Sequence, residues 1–514
     1  TLCDLGKMLS DPRCVIPTSI YVGKNYQTIA EMTDTQINAL SYLLHYLQEG
    51  GELIIDNENP YMSFINGRSF CNAQGTELYY YFEGKGETEV TLHPQIETIA
   101  NKNAFWNGEN YRKLNLSNVK MLNQQIGDTL PNMQEIQIGK ELTQITGGTT
   151  KSNVNHFLSR MPYLSKVEVH ESHLTLRSKD NFVYEEGLGI STLLYAPKAL
   201  KGEVNVPAGI MKLNGGCFNS SDIQHLIFPD SLTEMNMDAL TGMKSLEKIT
   251  FGASDRIVFY SKTELPTLTS IVFDGTKNID GESTVFMYAN VDTIELSKEL
   301  ESFIDIFIDC KAYQVAPENN IWKSIDGVLY NMQDNTLAMY PKKKVEESYT
   351  VLDGTVSVGA NAFYETKLKT VVFPDTCTQI GSYAFAGSQI ENVTFKAKSR
   401  IQFVDHTFFN CENLFNVSLE KDATVWLGQY AFYGCANLKE FPYQNVIWIA
   451  NSVFSETGIE YFEIGEDVEY CMGSAFKNSA LKNIVIKGGI NDNRILNETF
   501  ANTPLESIDL GDWI

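Results

Sequence analysis

The chain has 514 residues, of which 43% are hydrophobic, 20% charged and 11% aromatic, and its formal net charge is −24. This composition is typical of a folded chain rather than a disordered one. The acidic charge argues against binding to nucleic-acid phosphates or to an anionic membrane surface, because both require a basic face. No apolar run approaches the roughly 18 residues that a transmembrane helix needs. We therefore expect no nucleic-acid partner and no transmembrane segment.

The first 50 residues predict a cap that contains one amphipathic helix. Thr33 and Gln36 have the spacing of a capping box. Four apolar residues follow on one helical face, namely Ile37, Leu40, Leu44 and Leu47. Such a helix can shield the first coil of a repeat array from water. We therefore divide the chain into an N-terminal cap, residues 1–50, and a repeat domain, residues 51–514.

The last third of the chain carries a repeat of 22 to 24 residues that is anchored by phenylalanine. The anchors are Phe363, Phe385, Phe408, Phe432, Phe454, Phe476 and Phe500. A pattern such as Leu481, Ile484 and Ile486 follows each anchor, and its alternation predicts a short strand with one buried face. Strands at this spacing cannot pair as hairpins, so they must stack in parallel, one per coil. Weaker copies extend toward the N-terminus, and the predicted fold is a mainly β repeat solenoid, a superhelix with a parallel sheet of short strands.

Three longer units, near residues 58–92, 180–206 and 318–354, predict β-hairpin insertions in the solenoid. In each unit two apolar strands flank a polar turn, and a third strand is expected to rejoin the parallel sheet. The first and third units share a pattern, since Asn59 matches Asn319.

The phrases YAFYGCANLKEF and HTFFNCENLFNVSL resemble the BspA-like leucine-rich repeat, and SIDGVLY with a later YPKKK is similar to that family's hairpin unit. The resemblance covers roughly residues 51–514. It implies a leucine-rich-repeat solenoid and a protein of host-associated anaerobic bacteria that is secreted or lipid-anchored at the cell surface and acts in adhesion. The chain begins with Thr1 rather than Met, which fits the removal of an N-terminal segment that would carry such an anchor.

No catalytic, cofactor or metal site is predicted. The nine cysteines are scattered, and Cys411 and Cys435, at equivalent repeat positions where a small apolar side chain suits the stack, are interpreted as buried structural thiols. His170 and His173 form an H-x-x-H spacing, which is a weak metal signal outside a helix. Motifs of serine hydrolases, zinc proteases and phosphate-binding loops do not occur in the sequence. We expect a protein that is not an enzyme; a glycosidase with paired carboxylates is the enzymatic alternative, since 64 acidic residues could meet in space.

The strand positions between the buried residues predict a candidate binding surface. Its residues are Thr370, Asn392, Thr394, Asn416, Ser418, Tyr461, Glu463, Asn483 and Ser507. This row is small, polar and nearly uncharged, whereas Lys113, Glu135 and Lys166 make the equivalent N-terminal row more mixed. Because the sheet of a solenoid is its usual docking surface, we expect a protein partner, with a host extracellular protein as the first candidate.

A carbohydrate-binding surface protein is the alternative. Four aromatic residues, Tyr79, Tyr81, Trp322 and Trp426, could stack on sugar rings if they are exposed. They could equally be core residues of the hairpins and coils.

Overall fold

A computed structural model describes residues 7–12, 18–23, 43–56, 58–146, 153–218, 222–281, 286–303, 308–487 and 497–510. The chain is a parallel β-solenoid with hairpin insertions and little helix, so the predicted fold class is confirmed. It forms two compact units, Thr1–Thr267 with Asp280–Val285, and Leu268–Ile279 with Phe286–Ile514. The division at residue 50 stays a prediction.

The N-terminal unit contains the cap and two of the three hairpins. Its described helices are residues 7–10, 43–48 and Asn153–Ser159, with 3-10 turns at Gly108–Asn110, Gln124–Thr129 and Met237–Leu240. Its parallel strands are Ser19–Val22, Glu52–Ile55, Glu89–Thr91, Thr98–Ile99, Lys113–Leu116, Met121–Asn123, Glu135–Ile138, Gln144–Thr146, Lys166–Val169, Lys201–Asn205, Lys212–Leu213, Asp222–Phe228, Glu234–Asn236, Lys248–Phe251 and Arg256–Tyr260.

The helical residues 43–48 pack on the first hairpin, as a cap should. Leu43 and Leu47 are buried in one cluster with Phe70, Tyr80 and Phe82. This burial removes apolar surface from water at the start of the array. The predicted capping box at Thr33 and Gln36, together with Ile37 and Leu40, lies outside the described residues.

In the C-terminal unit most coils contribute two strands, one on each of two sides of the coil that we call the first face and the second face. The strands of the first face belong to three sheets and those of the second face to two. The first face comprises Ser270–Phe273, Phe286–Leu296, Ile308–Val315, Ser348–Thr350, Thr370–Phe373, Asn392–Phe395, Asn416–Leu419, Tyr461–Ile464, Asn483–Ile486 and Ser507–Asp509. The second face comprises Asn278–Gly281, of which only the first two residues belong to this unit, and Ser302–Phe303, Ser357–Val358, Gln379–Ile380, Arg400–Phe403, Thr424–Leu427, Val446–Ile449 and Tyr470–Cys471. The sequence predicted one strand per coil, and the second strand is an addition.

The phenylalanine anchors form a continuous stack between the two faces. Successive rings from Phe363 to Phe500 have centroids 4.6 to 5.9 Å apart, and the residues two before and two after every anchor adopt left-handed backbone conformations. In consecutive turns the anchor N–H donates to the next coil, for example from Phe385 to the Thr407 carbonyl at 2.8 Å. The tight turn therefore repeats with little change and keeps each ring above the last.

The position three residues after the anchor is always a small hydrogen-bond donor, which we call the donor row. The hydroxyl or thiol bonds the carbonyl of an anchor in six of the seven coils: Thr366, Thr457, Ser479 and Thr503 bond the anchor of their own coil, and Cys411 and Cys435 bond that of the preceding coil, at distances of 2.7 to 3.2 Å. The seventh member, Ser388, lies 3.6 Å from the Cys411 thiol instead. In most coils the backbone N–H of the same position also donates to the anchor carbonyl, so the side chain adds a second donor to a buried acceptor. The prediction of buried structural thiols is confirmed, and the structure adds that both thiols donate a hydrogen bond.

The three predicted hairpin insertions are confirmed as antiparallel meanders. Their strands are Ser63–Ile65, Ser69–Cys71 and Leu78–Tyr81; Leu176–Lys179, Phe182–Gly187 and Ile190–Tyr195; and Trp322–Ile325, Val328–Asn331 and Thr336–Met339. In the second and third the last strand joins a parallel sheet, and in the first the connection is a single bridge from Glu77 to Thr98.

Candidate functional site

The predicted binding residues lie in the first face of the C-terminal unit, where they form two ladders. In the first ladder Thr370 pairs with Asn392 and Asn392 with Asn416, while Thr394 pairs with Ser418. These side chains alternate with buried neighbours and are half-buried or exposed. Their outward placement agrees with the alternation in the sequence, and neighbouring rungs lie about 4.8 Å apart.

The second ladder holds the remaining four predicted residues. Tyr461, Asn483 and Ser507 occupy one row in register, and Glu463 occupies the other. The Ser507 hydroxyl donates to the Asn483 side-chain oxygen at 2.6 Å, and Lys487 pairs with Glu463 at 2.5 Å. These side chains are held by one another as well as by the backbone.

A coil without a strand on the first face separates the two ladders. The repeat predicts a strand after Phe432, and this prediction is wrong: residues 438–442 are irregular. Pro442 occupies the position equivalent to Ser418 and has no N–H to donate to a ladder. Phe441 is nevertheless buried against Phe432 and Phe454, with both centroid distances 5.1 Å. The core contact is kept while the sheet is interrupted.

Exposed aromatic rings flank this interruption, and sequence reasoning missed two of them. Phe415 is 52% exposed and Tyr461 is 42% exposed, and Tyr443 packs edge-on against Tyr461 at 5.7 Å. Phe415 occupies the position that carries Glu347, Lys369 and Glu391 in earlier coils. An apolar ring in an otherwise charged row is the signal that could have identified it.

Ion pairs border both ladders at the strand starts. Lys369 pairs with Glu347, and Lys482 with Glu460, each at 2.8 Å. The hydrogen bond from Lys482 lowers the pKa of Glu460, and the hydrogen bond to Glu347 raises the pKa of Lys369. Exposed pairs of this kind add little stability, so their main effect is to place fixed charge of both signs around ladders in which Glu463 is the one charged predicted residue.

The equivalent row of the N-terminal unit is a self-paired charge network. Lys113 lies 3.6 Å from Glu89 and 3.8 Å from Glu135, and Lys166 lies 2.9 Å from Glu135. His225 bonds Glu203 at 3.0 Å. Because these charges already compensate one another, this row offers a partner less unsatisfied charge than the sequence suggests.

A family model described as the BspA type leucine-rich repeat region matches the chain in 6 copies, over residues 194–316, 342–444 and 424–514. These ranges cover more than half of the chain. The chain belongs to the BspA-type leucine-rich repeat family. Both ladders, the interrupted coil and the third hairpin of this BspA-type protein lie within the matched residues or directly beside them. No curated protein sequence matches significantly.

Solved structures similar to this BspA-type chain come from several bacteria. They include the pneumococcal vaccine antigen PcpA, a leucine-rich repeat protein from Eubacterium ventriosum and a leucine-rich cell surface protein from Faecalibacterium prausnitzii. Identities are 15%, 17% and 16%, and the matches cover 66%, 60% and 64% of this chain and 99%, 94% and 97% of the neighbours. The TM-scores are 0.37, 0.36 and 0.33. At these identities the likeness concerns the fold alone.

The two histidines considered as metal ligands in this BspA-type chain have other roles. His173 is 4% exposed; its Nδ1 accepts the N–H groups of Thr175 and Leu176 at 3.2 and 3.0 Å, and its Nε2 lies 2.8 Å from the Leu142 carbonyl. Since Nδ1 faces two donors, the proton must sit on Nε2. The exposed His170 accepts the Ser172 N–H. Among the described residues no group of three metal-binding side chains is found.

His173 reproduces a cap that asparagine provides at the other two hairpins of the BspA-type chain. Asn319 accepts the N–H groups of residues 321 and 322 and donates to the Ser297 carbonyl, and Asn59 does the same with residues 61 and 62 and with Gly23. The side chain thereby ties the entry of the hairpin to the preceding coil, which explains why Asn59 and Asn319 match in sequence.

The predicted sugar-stacking residues are only partly available. Tyr81 and Trp322 are 7% and 6% exposed, and the indole N–H of Trp322 donates to the Glu301 carbonyl at 3.2 Å. The proposal that these two are exposed is therefore wrong, because they belong to the cores of the hairpins. Tyr79 is half-buried, and Trp426 is half-buried on the second face. Within the described part of the chain, no helix combines the length and apolar character needed to cross a bilayer.

Proposed function

We propose that this leucine-rich repeat protein is a non-enzymatic binding protein of the cell surface or the extracellular medium. It engages a protein partner, with adhesion to a host extracellular protein as its role, through the two ladders of the first face. A lipid anchor on a preceding segment is part of the same proposal. The observation that carries the proposal is the pair of exposed rings, Phe415 and Tyr461, beside in-register rows of uncharged polar side chains.

The composition of this surface supports a protein partner. Protein interfaces are enriched in aromatic residues at their centre and keep polar, solvated groups at their rim. Here Phe415, Tyr443 and Tyr461 supply large rings, and Asn392, Asn416 and Asn483 belong to strands that supply both donors and acceptors. The backbone ladders fix the strands that present these side chains, so binding orders less of the protein and costs less entropy.

The electrostatic setting favours a neutral or basic partner. The chain carries a formal charge of −24, which repels acidic surfaces at long range. The lysines that border the ladders, Lys369, Lys482 and Lys487, are paired with glutamates.

The test is binding of the purified chain to immobilised fibronectin, fibrinogen, laminin and collagen, each before and after enzymatic deglycosylation. Binding that survives deglycosylation and falls at least tenfold in the Phe415→Ala and Tyr461→Ala variants supports the proposal. Tyr163→Ala is the matched control, because Tyr163 is 62% exposed but lies in the other unit. Binding that all three substitutions leave unchanged would reject the first face as the docking surface, and no binding to any of the four proteins would reject the adhesive role.

A further inference from the structure

The second face of the C-terminal unit carries a row of outward side chains without a single charge. We call it the second-face row. It consists of Thr336, from the last strand of the third hairpin, and of Ser357, Gln379, Gln402, Trp426, Trp448 and Tyr470. Each member pairs in register with the next.

The aromatic end of this row is partly open to solvent. Trp426, Trp448 and Tyr470 are half-buried, whereas their strand neighbours Leu427 and Ile449 are fully buried. Trp448 also packs against the core, and the indole nitrogen of Trp426 is buried, so part of each indole remains for a ligand. The two indoles meet edge to face with centroids 5.6 Å apart, and Trp448 lies 4.3 Å from the Tyr470 ring at a 50° tilt. Three rungs at about 4.8 Å each place these rings along roughly 10 Å of the face.

The other end of the row supplies hydrogen-bonding groups. Gln379 is exposed and Gln402 half-exposed, and within the described residues neither amide has a side-chain hydrogen bond. Each can offer two N–H donors and one carbonyl acceptor to a ligand. Thr336 and Ser357, by contrast, already bond each other at 2.6 Å, so Gln379 and Gln402 are the polar groups that remain available.

From this juxtaposition we infer that the second-face row binds a neutral polysaccharide chain. Aromatic rings offer large apolar faces with a polar edge, which suits the C–H face of a sugar ring, and amides suit its hydroxyl groups. An extended chain can lie across several rungs, which a single sugar cannot. Arg400 is exposed on the same side of the strand as Gln402, but the row itself holds no charge and the whole chain is acidic, so anionic glycans are disfavoured.

This inference does not depend on the proposed protein partner, since it concerns the other sheet and another class of ligand. It retains Trp426 from the four sugar-stacking residues suggested by sequence. It adds Trp448, Tyr470, Gln379 and Gln402, which only the register of the second face brings together.

The experiment is isothermal titration calorimetry of the full chain with cellohexaose, xylohexaose, mannohexaose and maltohexaose, and with an oligogalacturonate of similar length. We expect saturable heat with at least one neutral oligosaccharide. Trp448→Ala should weaken that association at least tenfold, which corresponds to about 1.4 kcal/mol. Gln402→Ala should weaken it about threefold without touching the core, so a folding defect in the tryptophan variant would leave the inference testable. Tyr163→Ala, an exposed ring of the N-terminal unit, is the control and should leave oligosaccharide binding unchanged.

Three outcomes would overturn the inference. These are no saturable heat with any of the four neutral chains at millimolar concentration, tighter binding of the oligogalacturonate, and neutral-chain binding that survives both the Trp448 and the Gln402 substitution. None of them bears on binding of deglycosylated proteins at the first face, so the two proposals can fail separately.

Discussion

Replacing His173 tests whether a histidine serves as an asparagine-like cap. In His173→Ala the N–H groups of Thr175 and Leu176 and the Leu142 carbonyl lose their partners. A net hydrogen bond contributes about 1 kcal/mol, so three bonds amount to about 3 kcal/mol. His173→Asn should keep the cap hydrogen bonds that Asn59 and Asn319 make. Its local stability should therefore fall by about 1 kcal/mol or less.

Amide hydrogen exchange is the appropriate assay, because a long repeat array need not unfold in one step. A local loss of about 3 kcal/mol should speed exchange at Leu176 roughly hundredfold in His173→Ala, and less than about tenfold in His173→Asn. His170→Ala is the control, since that exposed ring accepts only one N–H. If the asparagine variant exchanges as fast as the alanine variant, the ring's volume matters and the proposed cap equivalence is incorrect.

Two further predictions concern the core. Phe408→Ala should lower the free energy of unfolding by about 3–5 kcal/mol, because it leaves a buried cavity between two stacked rings. Phe409 is half-buried, so Phe409→Ala should lower the free energy of unfolding by less than half as much. Equal shifts of the urea unfolding midpoint in the two variants would contradict the stabilising role of the phenylalanine stack. Burial raises the pKa of the Cys411 and Cys471 thiols to about 12, so both stay neutral at pH 8 and iodoacetamide should modify them only after unfolding. Modification of either in the native chain, detected by mass spectrometry, would contradict this.

Much of the fold is predictable because its signal is local and repeated. The spacing between successive phenylalanine anchors, from Phe363 to Phe500, defines the length of one coil. The alternation after each anchor identifies the buried face of the first strand. The outward placement of Asn392 and Asn483 follows from the same alternation. A period of two residues is enough to assign a side to every residue of a short strand.

The second face could not be predicted in the same way. Strands such as Gln379–Ile380 contain two residues, which is too few to show any period. The same holds for Tyr470 in Tyr470–Cys471. Trp448 lies in a four-residue strand, Val446–Ile449, that is apolar at every position and therefore shows no alternation. Pro442 is a different case, since one residue without an N–H removed a strand whose hydrophobic pattern was intact.

The donor row has a practical consequence for handling the protein. Serine fills the same place at Ser479, where its hydroxyl bonds the anchor carbonyl, so exchanging Cys411 and Cys435 for serine keeps a group that can bond the anchor carbonyls. Refolding from denaturant exposes every thiol and allows scrambled cross-links. A version with fewer thiols would refold with fewer such side products, and it would accept a single new cysteine on either face as a site for a fluorescent label.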